Sequence, residues 1–268
     1  MAESVVDEAI RNVVVAGADP HQIALLDNFS WGDPRRASTL GELAAAVEGC
    51  TAAARCHRAP FVSGKDSLNN EYLGSDGQHH AVPPTLVITA VGFVPDADNV
   101  QTPDLKCAGN RLVLLGSTRA EFGGSHFDLV APASPPAGAT PRFDPGAPRR
   151  YELLHGAIRA GLIRSAHDAS EGGLAVALAE MAIGGGLGVE ANLPGPDACA
   201  ALFAESNSRI VVEVEPKGER EVLRHFGADA CVIGTVIAEP FITLAYDGAA
   251  VAALSVDRAR VAFNGGDQ

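Results

Sequence analysis

The apolar positions along the chain follow two periods, and each period predicts a different kind of element. In residues 4–16 they recur every three or four positions, which predicts a helix with one apolar face. Residues 39–58 show the same period and begin with a capping box at Thr39, so a second helix is predicted there. Its expected apolar stripe consists of Leu40, Leu43, Val47, Cys50 and Ala54.

Short apolar runs bounded by turn residues predict three strands in the same part of the chain, at 23–26, 60–63 and 85–94. The third run is apolar on both faces, so we expect it in the centre of a sheet. The first two runs end in polar residues, and we therefore expect Asp27 and the segment 63–67 to follow strand ends. Trp31, the only tryptophan, is expected to pack in the interior.

Strand-like and helix-like segments alternate in the second half of the chain, which favours an α/β domain there. Strands are predicted at 111–116, 209–214, 230–237 and 241–246, and helices at 151–163, 174–183 and 216–226. The proline-rich segment 131–150 predicts an extended connection rather than a helix. A boundary near 103–109 then divides the chain into two domains, residues 1–107 and 108–268.

Composition narrows the classes of partner. The net charge of −13 argues against a nucleic acid or an acidic membrane as partner, because both need clustered positive charge. A small phosphate needs only a few N–H groups and is not excluded. The five cysteines form no C-x-x-C pair, which argues against paired-thiolate zinc, and their odd number fits reduced thiols in the cytoplasm. Neither a signal peptide nor a membrane-spanning run is evident.

Candidate chemistry starts at the segment 63–67, Ser-Gly-Lys-Asp-Ser, which contains Lys65, one of only three lysines. A strand that ends in glycine and small hydroxyls exposes N–H groups that can hold an anion. The alternative is a polar turn between two strands, and the segment alone leaves both interpretations open.

Two further groups could bind a cation. Glu8 and Asn12 are four residues apart on the first helix, and they are either a solvated face or a pair of oxygen ligands. Asp168 lies in the loop His-Asp-Ala-Ser-Glu-Gly-Gly, which is either a helix cap or a metal ligand beside an anion-binding helix start. We expect His57, His79 and His80 on the surface, and no hydrolytic triad is evident.

Five motifs taken together are more specific than any one of them. They are ALLDNFSWGDP, PFVSGKDSLNNEY, EFGGS, HDASEGGLAVALAEMA and LFAESNSR, in this order. The chain resembles the second half of the large synthetase subunit of phosphoribosylformylglycinamidine synthase, in the aminoimidazole ribonucleotide synthetase-like superfamily. The resemblance implies an α/β (α+β) fold, with a mixed-sheet domain followed by an α/β sandwich domain. It also implies a ligase that amidates formylglycinamide ribonucleotide with ATP and Mg²⁺ in purine biosynthesis.

The resemblance assigns roles to individual residues. Asp27 and Gly64 match positions that contact ATP, and Ser67 matches a position that contacts substrate. Lys65 stands where many relatives have a magnesium-binding asparagine, so it either neutralises phosphate directly or marks a subfamily with altered metal use. Magnesium ligands of an auxiliary nucleotide site are matched by Glu8, Asn12 and Asp168. No residue of this chain matches the family's catalytic histidine, so the catalytic group is left unknown.

The resemblance also implies partners. The family's enzyme receives ammonia from a glutaminase subunit, and a small third subunit commonly bridges the two. This chain resembles only one half of the synthetase, so it is expected to be a fragment or to work with a separate first half. We expect a dimer or a docked partner to cover its first sheet. The alternatives are a non-catalytic nucleotide-binding scaffold, or another superfamily member such as a thiamine-phosphate kinase or selenophosphate synthetase.

Overall fold

A computed structural model describes residues 1–131 and 139–266 of the chain. Its first part, up to about residue 100, holds two long helices, a sheet and a short hairpin. These elements are α1 (Ala2–Val15), β1 (Ile23–Ser30), α2 (Ala37–His57), β2 (Phe61–Ser67), β3 (Glu71–Leu73), β4 (His79–Ala81) and β5 (Thr85–Gly92).

The first sheet has the strand order β2-β1-β5, in which β1 runs parallel to β2 and antiparallel to β5. Asp27 lies opposite Gly64 in the β1–β2 register, and pairing continues to Ser30 and Ser67. The prediction that Asp27 and segment 63–67 follow strand ends was therefore wrong. Hydrogen bonding between the main chains of neighbouring strands does not depend on the polarity of the side chains, so the polar residues extend both strands.

The two faces of this sheet differ in what covers them. Helices α1 and α2 pack on one face, where Leu25 and Phe29 are buried. On the other face Val87 and Val91 are about half exposed, at 54% and 51%. Strand β5 forms an edge of the described sheet, so its predicted central position was wrong. Its second apolar row is covered by no element of the described residues.

Helix α2 buries a different stripe from the one its sequence suggested. Its buried residues are Ala46, Cys50, Ala53 and His57, whereas Leu40 and Val47 are 52% and 47% exposed. Cys50 is buried as expected. His57 is buried too, so its predicted surface position was wrong. It lies in the last turn of α2, and its ring stacks on that of Tyr151 in the second half of the chain. The helix begins two residues before Thr39, and its N-cap Arg36 makes no side-chain cap.

The second part, from about residue 110, forms a larger layered unit around a seven-stranded sheet. Its elements are β6 (Arg111–Leu115), α3 (His126–Val130), α4 (Ala147–Arg159), β7 (Ser165–Asp168), α5 (Gly173–Gly185), β8 (Gly188–Asn192), α6 (Ala198–Phe203), β9 (Ile210–Val214), α7 (Glu219–Phe226), β10 (Ala230–Ile237), β11 (Phe241–Tyr246), β12 (Ala249–Ser255) and α8 (Val256–Phe263).

The strand order of this sheet is β12-β11-β8-β10-β6-β9-β7, with helices on both faces. Alternate residues of β6 show the layering, because Leu112 and Leu114 join one core cluster whereas Val113 and Leu115 join the other. The predicted fold class, a mixed-sheet unit followed by an α/β sandwich, is confirmed. The strands predicted at 230–237 and 241–246 match the observed bounds.

The connection between β6 and β7 departs from its prediction in part. Helix α4 begins at Ala147 with a proline in its first turn, four residues before the predicted start. Residues 132–138 of the predicted extended connection lie outside the described residues. None of the helices in 1–131 and 139–266 is long and apolar enough to cross a membrane.

The two parts share one hydrophobic core. Val6 and Ile10 of α1 belong to the same buried cluster as Trp31 of the first part and Tyr151 of the second. Trp31 is 1% exposed, which confirms its interior packing. Helix α1 also contacts β7 and α4, so it brings side chains of the first part against the second.

Candidate nucleotide and cation site

A cleft of about 440 Å³ opens where α1 meets the end of β7 and the start of α5. Glu8 and Asn12, one helical turn apart, line it from α1, and Asp168 lines it from the last position of β7. The three predicted magnesium ligands are therefore brought together. His167 and Ser170 complete the wall beside Asp168.

The Asp168 carboxylate is held ionised by its neighbours. Although burial opposes the charge, the hydrogen bond from His167 and the nearby Arg11 lower the pKa of Asp168 to about 2. His167 Nδ1 is 3.3 Å from Asp168 Oδ1, and the Ser170 hydroxyl donates a hydrogen bond to Oδ2. The second nitrogen of His167 lies 3.0 Å from Glu180 Oε2.

The amide of Asn12 turns one of its two polar atoms toward Asp168, at 3.2 and 3.1 Å from the two carboxylate oxygens. That atom is the nitrogen, which donates hydrogen bonds to both oxygens of the Asp168 carboxylate. A half-turn of the amide would present its oxygen to a cation instead.

Glu8 adds a second carboxylate to this cleft. Burial raises the pKa of Glu8, and the negative charge of Asp168 raises it further. Within the described residues, no three His, Cys, Asp or Glu side chains converge to hold a metal ion. A cation would thus depend on two carboxylates, the Asn12 amide, and water or phosphate oxygens. Such a mixed oxygen set is typical of Mg²⁺.

A second cleft of about 330 Å³ adjoins the first and shares Glu8, Ser170 and Glu171 with it. Gly123 and Gly124 of the EFGGS motif line its far side. Arg11 also lines this second cleft, but it was not among the site residues predicted from the sequence. The sequence feature that could have indicated it is spacing, because Arg11 follows the acidic Asp7 by one helical turn on a helix whose other buried positions are apolar.

Asp27 and Gly64 line a separate cleft of about 420 Å³ between the first sheet and α2. Gly64 leaves the space that the Asp27 carboxylate fills, since a Cβ at residue 64 would lie 2.3 Å from Asp27 Oδ1. Partial burial raises the pKa of Asp27, and the charge of Asp66 adds to this effect. Asp27 and Asp66 thus form one acidic wall of this cleft.

Lys65 and Ser67 lie on the opposite face of β2 from Gly64, because successive strand residues alternate. The Lys65 ammonium donates a hydrogen bond to the Ser67 hydroxyl. The structure therefore pairs Lys65 with Ser67 and Asp27 with Gly64, but it does not bring the four residues together. Neither pair lines the cleft at Asp168.

The chain belongs to the AIR synthase related protein family. The N-terminal domain of that family matches residues 1–94, and its C-terminal domain matches residues 108–247. Among the curated relatives is the phosphoribosylformylglycinamidine synthase subunit PurL of Synechococcus elongatus, 38% identical over 98% of this chain. The resemblance drawn from the five motifs is thus confirmed. This chain spans only 36% of that relative's length.

Solved structures share the fold at lower identity. Thermotoga maritima PurL complexed with FGAR superposes with a TM-score of 0.73 at 21% identity, covering 96% of this chain and 42% of that chain. The hydrogenase maturation protein HypE of E. coli superposes with a TM-score of 0.71 at 18% identity, covering 95% of this chain and 78% of that chain. At these identities the likeness is one of fold.

Proposed function

We propose that this chain supplies one half of a phosphoribosylformylglycinamidine synthetase. The observation that carries the proposal is the convergence of Glu8, Asn12 and Asp168 on one cleft in a chain 38% identical to a PurL subunit. The reaction is the ATP-dependent amidation of formylglycinamide ribonucleotide in purine biosynthesis. ATP phosphorylates the amide oxygen of the substrate, and ammonia then displaces phosphate to give the amidine.

Each site residue has a role in this proposal. Asp168, Glu8 and Asn12 hold Mg²⁺, which when bound offsets the negative charge of the nucleotide phosphates. We assign nucleotide contacts to Asp27 and Gly64 on one face of the first sheet and to Lys65 on the other face, and a ribonucleotide contact to Ser67 beside Lys65. Solved T. maritima PurL structures include complexes with ATP and with FGAR, which supports nucleotide and substrate sites on this fold.

The proposed partners follow from the relatives and from the open sheet. One T. maritima structure is a PurLQS assembly, which supports a glutaminase subunit and a small bridging subunit as partners here. A first synthetase half, or a second copy of this chain, would cover the face that bears Val87 and Val91. We propose that the complex works in the cytoplasm. We also propose that the boundary between the two domains of this chain lies between residues 107 and 108.

A non-catalytic nucleotide-binding half is the second candidate. The observation that favours this second candidate is a difference in exposure between the cleft at Asp168 and the Lys65–Ser67 pair on β2. The cleft at Asp168 is lined by side chains from both parts of this chain, whereas Lys65 and Ser67 lie on exposed or half-exposed positions of β2. An auxiliary nucleotide at Asp168 could then stabilise the chain without taking part in amidation.

The test of the cation site is calorimetric titration of ADP and ATP with and without Mg²⁺. Asp168→Asn keeps the shape of the side chain and removes its charge, so it should abolish the Mg²⁺-dependent part of binding. Glu42→Gln, an exposed carboxylate on α2, is the matched control and should bind as wild type. Equal binding by wild type and Asp168→Asn would refute the assignment.

Activity separates the two candidates. The chain is mixed with the first-half module of a PurL synthetase, and ammonia-dependent amidation of formylglycinamide ribonucleotide is followed. Turnover that needs both chains supports the synthetase. Retained nucleotide binding without turnover, in a complex shown to have formed, supports the scaffold.

A further inference from the structure

A buried polar cluster lies behind the cation cleft, on the side of α1 that faces the core. At its centre is the carboxylate of Asp7, which is completely buried. Four side chains from three other segments and from α1 itself surround it: Arg11 Nη1 at 2.5 Å, Tyr151 Oη at 2.7 Å, Ser208 Oγ at 3.0 Å and His57 Nε2 at 3.2 Å.

The Arg11 guanidinium lies between this carboxylate and the cation cleft. Its Nη1 donates to Asp7, and its Nη2 donates to the Ser170 hydroxyl at 2.8 Å. That hydroxyl in turn donates to Asp168 Oδ2. The third guanidinium nitrogen, Arg11 Nε, is buried, has no hydrogen-bond partner among the described residues, and lies 3.7 Å from Asp168 Oδ2.

The Arg11 guanidinium lies near two carboxylates, those of Asp7 and Asp168, and could pair with either. A charge-assisted hydrogen bond needs about 2.8 Å, so a shift of roughly 1 Å would join Arg11 Nε to Asp168 directly. Asp7 opposes that shift. The Asp7 carboxylate retains Arg11 through the 2.5 Å hydrogen bond from Nη1, and it is itself fixed by hydrogen bonds from Tyr151 and Ser208.

We propose that Asp7 is a positioning residue that holds the Arg11 guanidinium back from Asp168 and so keeps Asp168 available to a divalent cation. This inference rests on the proposed cation site at Asp168. Arg11 near that site repels a cation, and it repels it more strongly when it pairs with Asp168 directly. Loss of Asp7 therefore weakens cation binding, although Asp7 does not line the cleft.

The test is binding of Mn²⁺ alone to the full chain, measured by the loss of the free Mn²⁺ signal in electron paramagnetic resonance. Asp7→Asn should weaken binding at least about tenfold, which corresponds to ~1.4 kcal/mol. Arg11→Gln should bind Mn²⁺ more tightly than wild type. The double variant removes both buried charges together, so neither is left uncompensated, and it should bind at least as well as wild type.

The signs of these effects separate positioning from simple structural support. A merely structural role predicts weaker binding in both single variants and weaker binding still in the double variant, and that result would overturn the inference. If wild type binds Mn²⁺, Asp168→Asn does not, and Asp7→Asn binds as wild type, only the inference fails. If wild type does not bind Mn²⁺, the proposed cation site fails and the inference with it.

Folding of the variants is checked separately. Circular dichroism and urea unfolding are recorded for each variant, with Glu42→Gln as control. If Asp7→Asn does not fold, Arg11→Gln and the double variant decide the question, because weaker Mn²⁺ binding by both would contradict the proposal.

Discussion

Replacing Gly64 by alanine tests whether the Asp27 carboxylate is placed by the missing side chain of its neighbour on β2. The backbone at Gly64 is not in the left-handed region, so alanine meets no backbone strain. The new Cβ would lie 2.3 Å from Asp27 Oδ1 and 2.6 Å from Oδ2, whereas ordinary contacts begin at 3.4 Å. The carboxylate must therefore move by about 1 Å or swing away from β2.

The size of the effect differs for stability and for binding. Asp27 is only half-buried, so its side chain can turn toward solvent, and we expect unfolding to become easier by about 1 kcal/mol, the lower end for an overpacked site. If Asp27 hydrogen-bonds a nucleotide, losing that bond costs about 1.5–3 kcal/mol, which is a roughly ten- to hundredfold loss of affinity.

The assay is calorimetric titration of ATP in an Asp168→Asn background, so that the cleft at Asp168 does not contribute. Gly64→Ala, Asp27→Ala and the double variant form a cycle, and Ser63→Ala on the opposite face of β2 is the control. We expect the double variant to bind like Asp27→Ala alone. Full affinity in Gly64→Ala, or losses that add, would refute the proposed route through Asp27.

Three further predictions concern other parts of the chain. Lys65→Ala should weaken ATP or phosphate affinity in calorimetry, and unchanged affinity would remove Lys65 from the site. Light scattering at micromolar concentration should find wild type dimeric or partner-bound and Val87→Glu monomeric; a stable wild-type monomer would contradict a covered sheet. Although burial opposes it, hydrogen bonds to Asp168 and Glu180 raise the pKa of His167 from 6.5 to about 9. His167 should therefore add stability that is complete below pH 6.5 and lost as pH rises through 9. Urea unfolding of wild type minus His167→Gln measures this loss, and a pH-independent difference would contradict it.

The candidate cation site could be predicted in part from spacing. Glu8 and Asn12 share a side of α1 because four residues make about one helical turn, and that relation needs no tertiary information. Their meeting with Asp168 depends on α1 packing against β7, which connects segments far apart in the chain. In the sequence, no local pattern assigns the three residues to one site; only the family resemblance does so.

The sequence-based predictions that were wrong share a common physical origin. Asp27 and the segment 63–67 look like turns because their side chains are polar, yet main-chain pairing with a neighbouring strand keeps them extended. His57 looks like a surface residue, yet it is buried because Asp7 and Tyr151 from other elements enclose it. The spacing of apolar residues also predicted that Leu40 and Val47 are buried, because this spacing does not show which side of α2 packs against the sheet.

The sequence by itself determined the family, the alternation of helices and strands, and the residue types that a phosphate and a divalent cation require. These properties depend on short spacings and on motif order, which are local. Only the tertiary structure decided which polar residues meet, because partners such as Asp7 and Tyr151, or Asn12 and Asp168, come together through packing of distant segments. It also decided that Gly64 and Lys65, neighbours in the chain, point to opposite faces of one strand, since that alternation matters only once both faces have distinct surroundings.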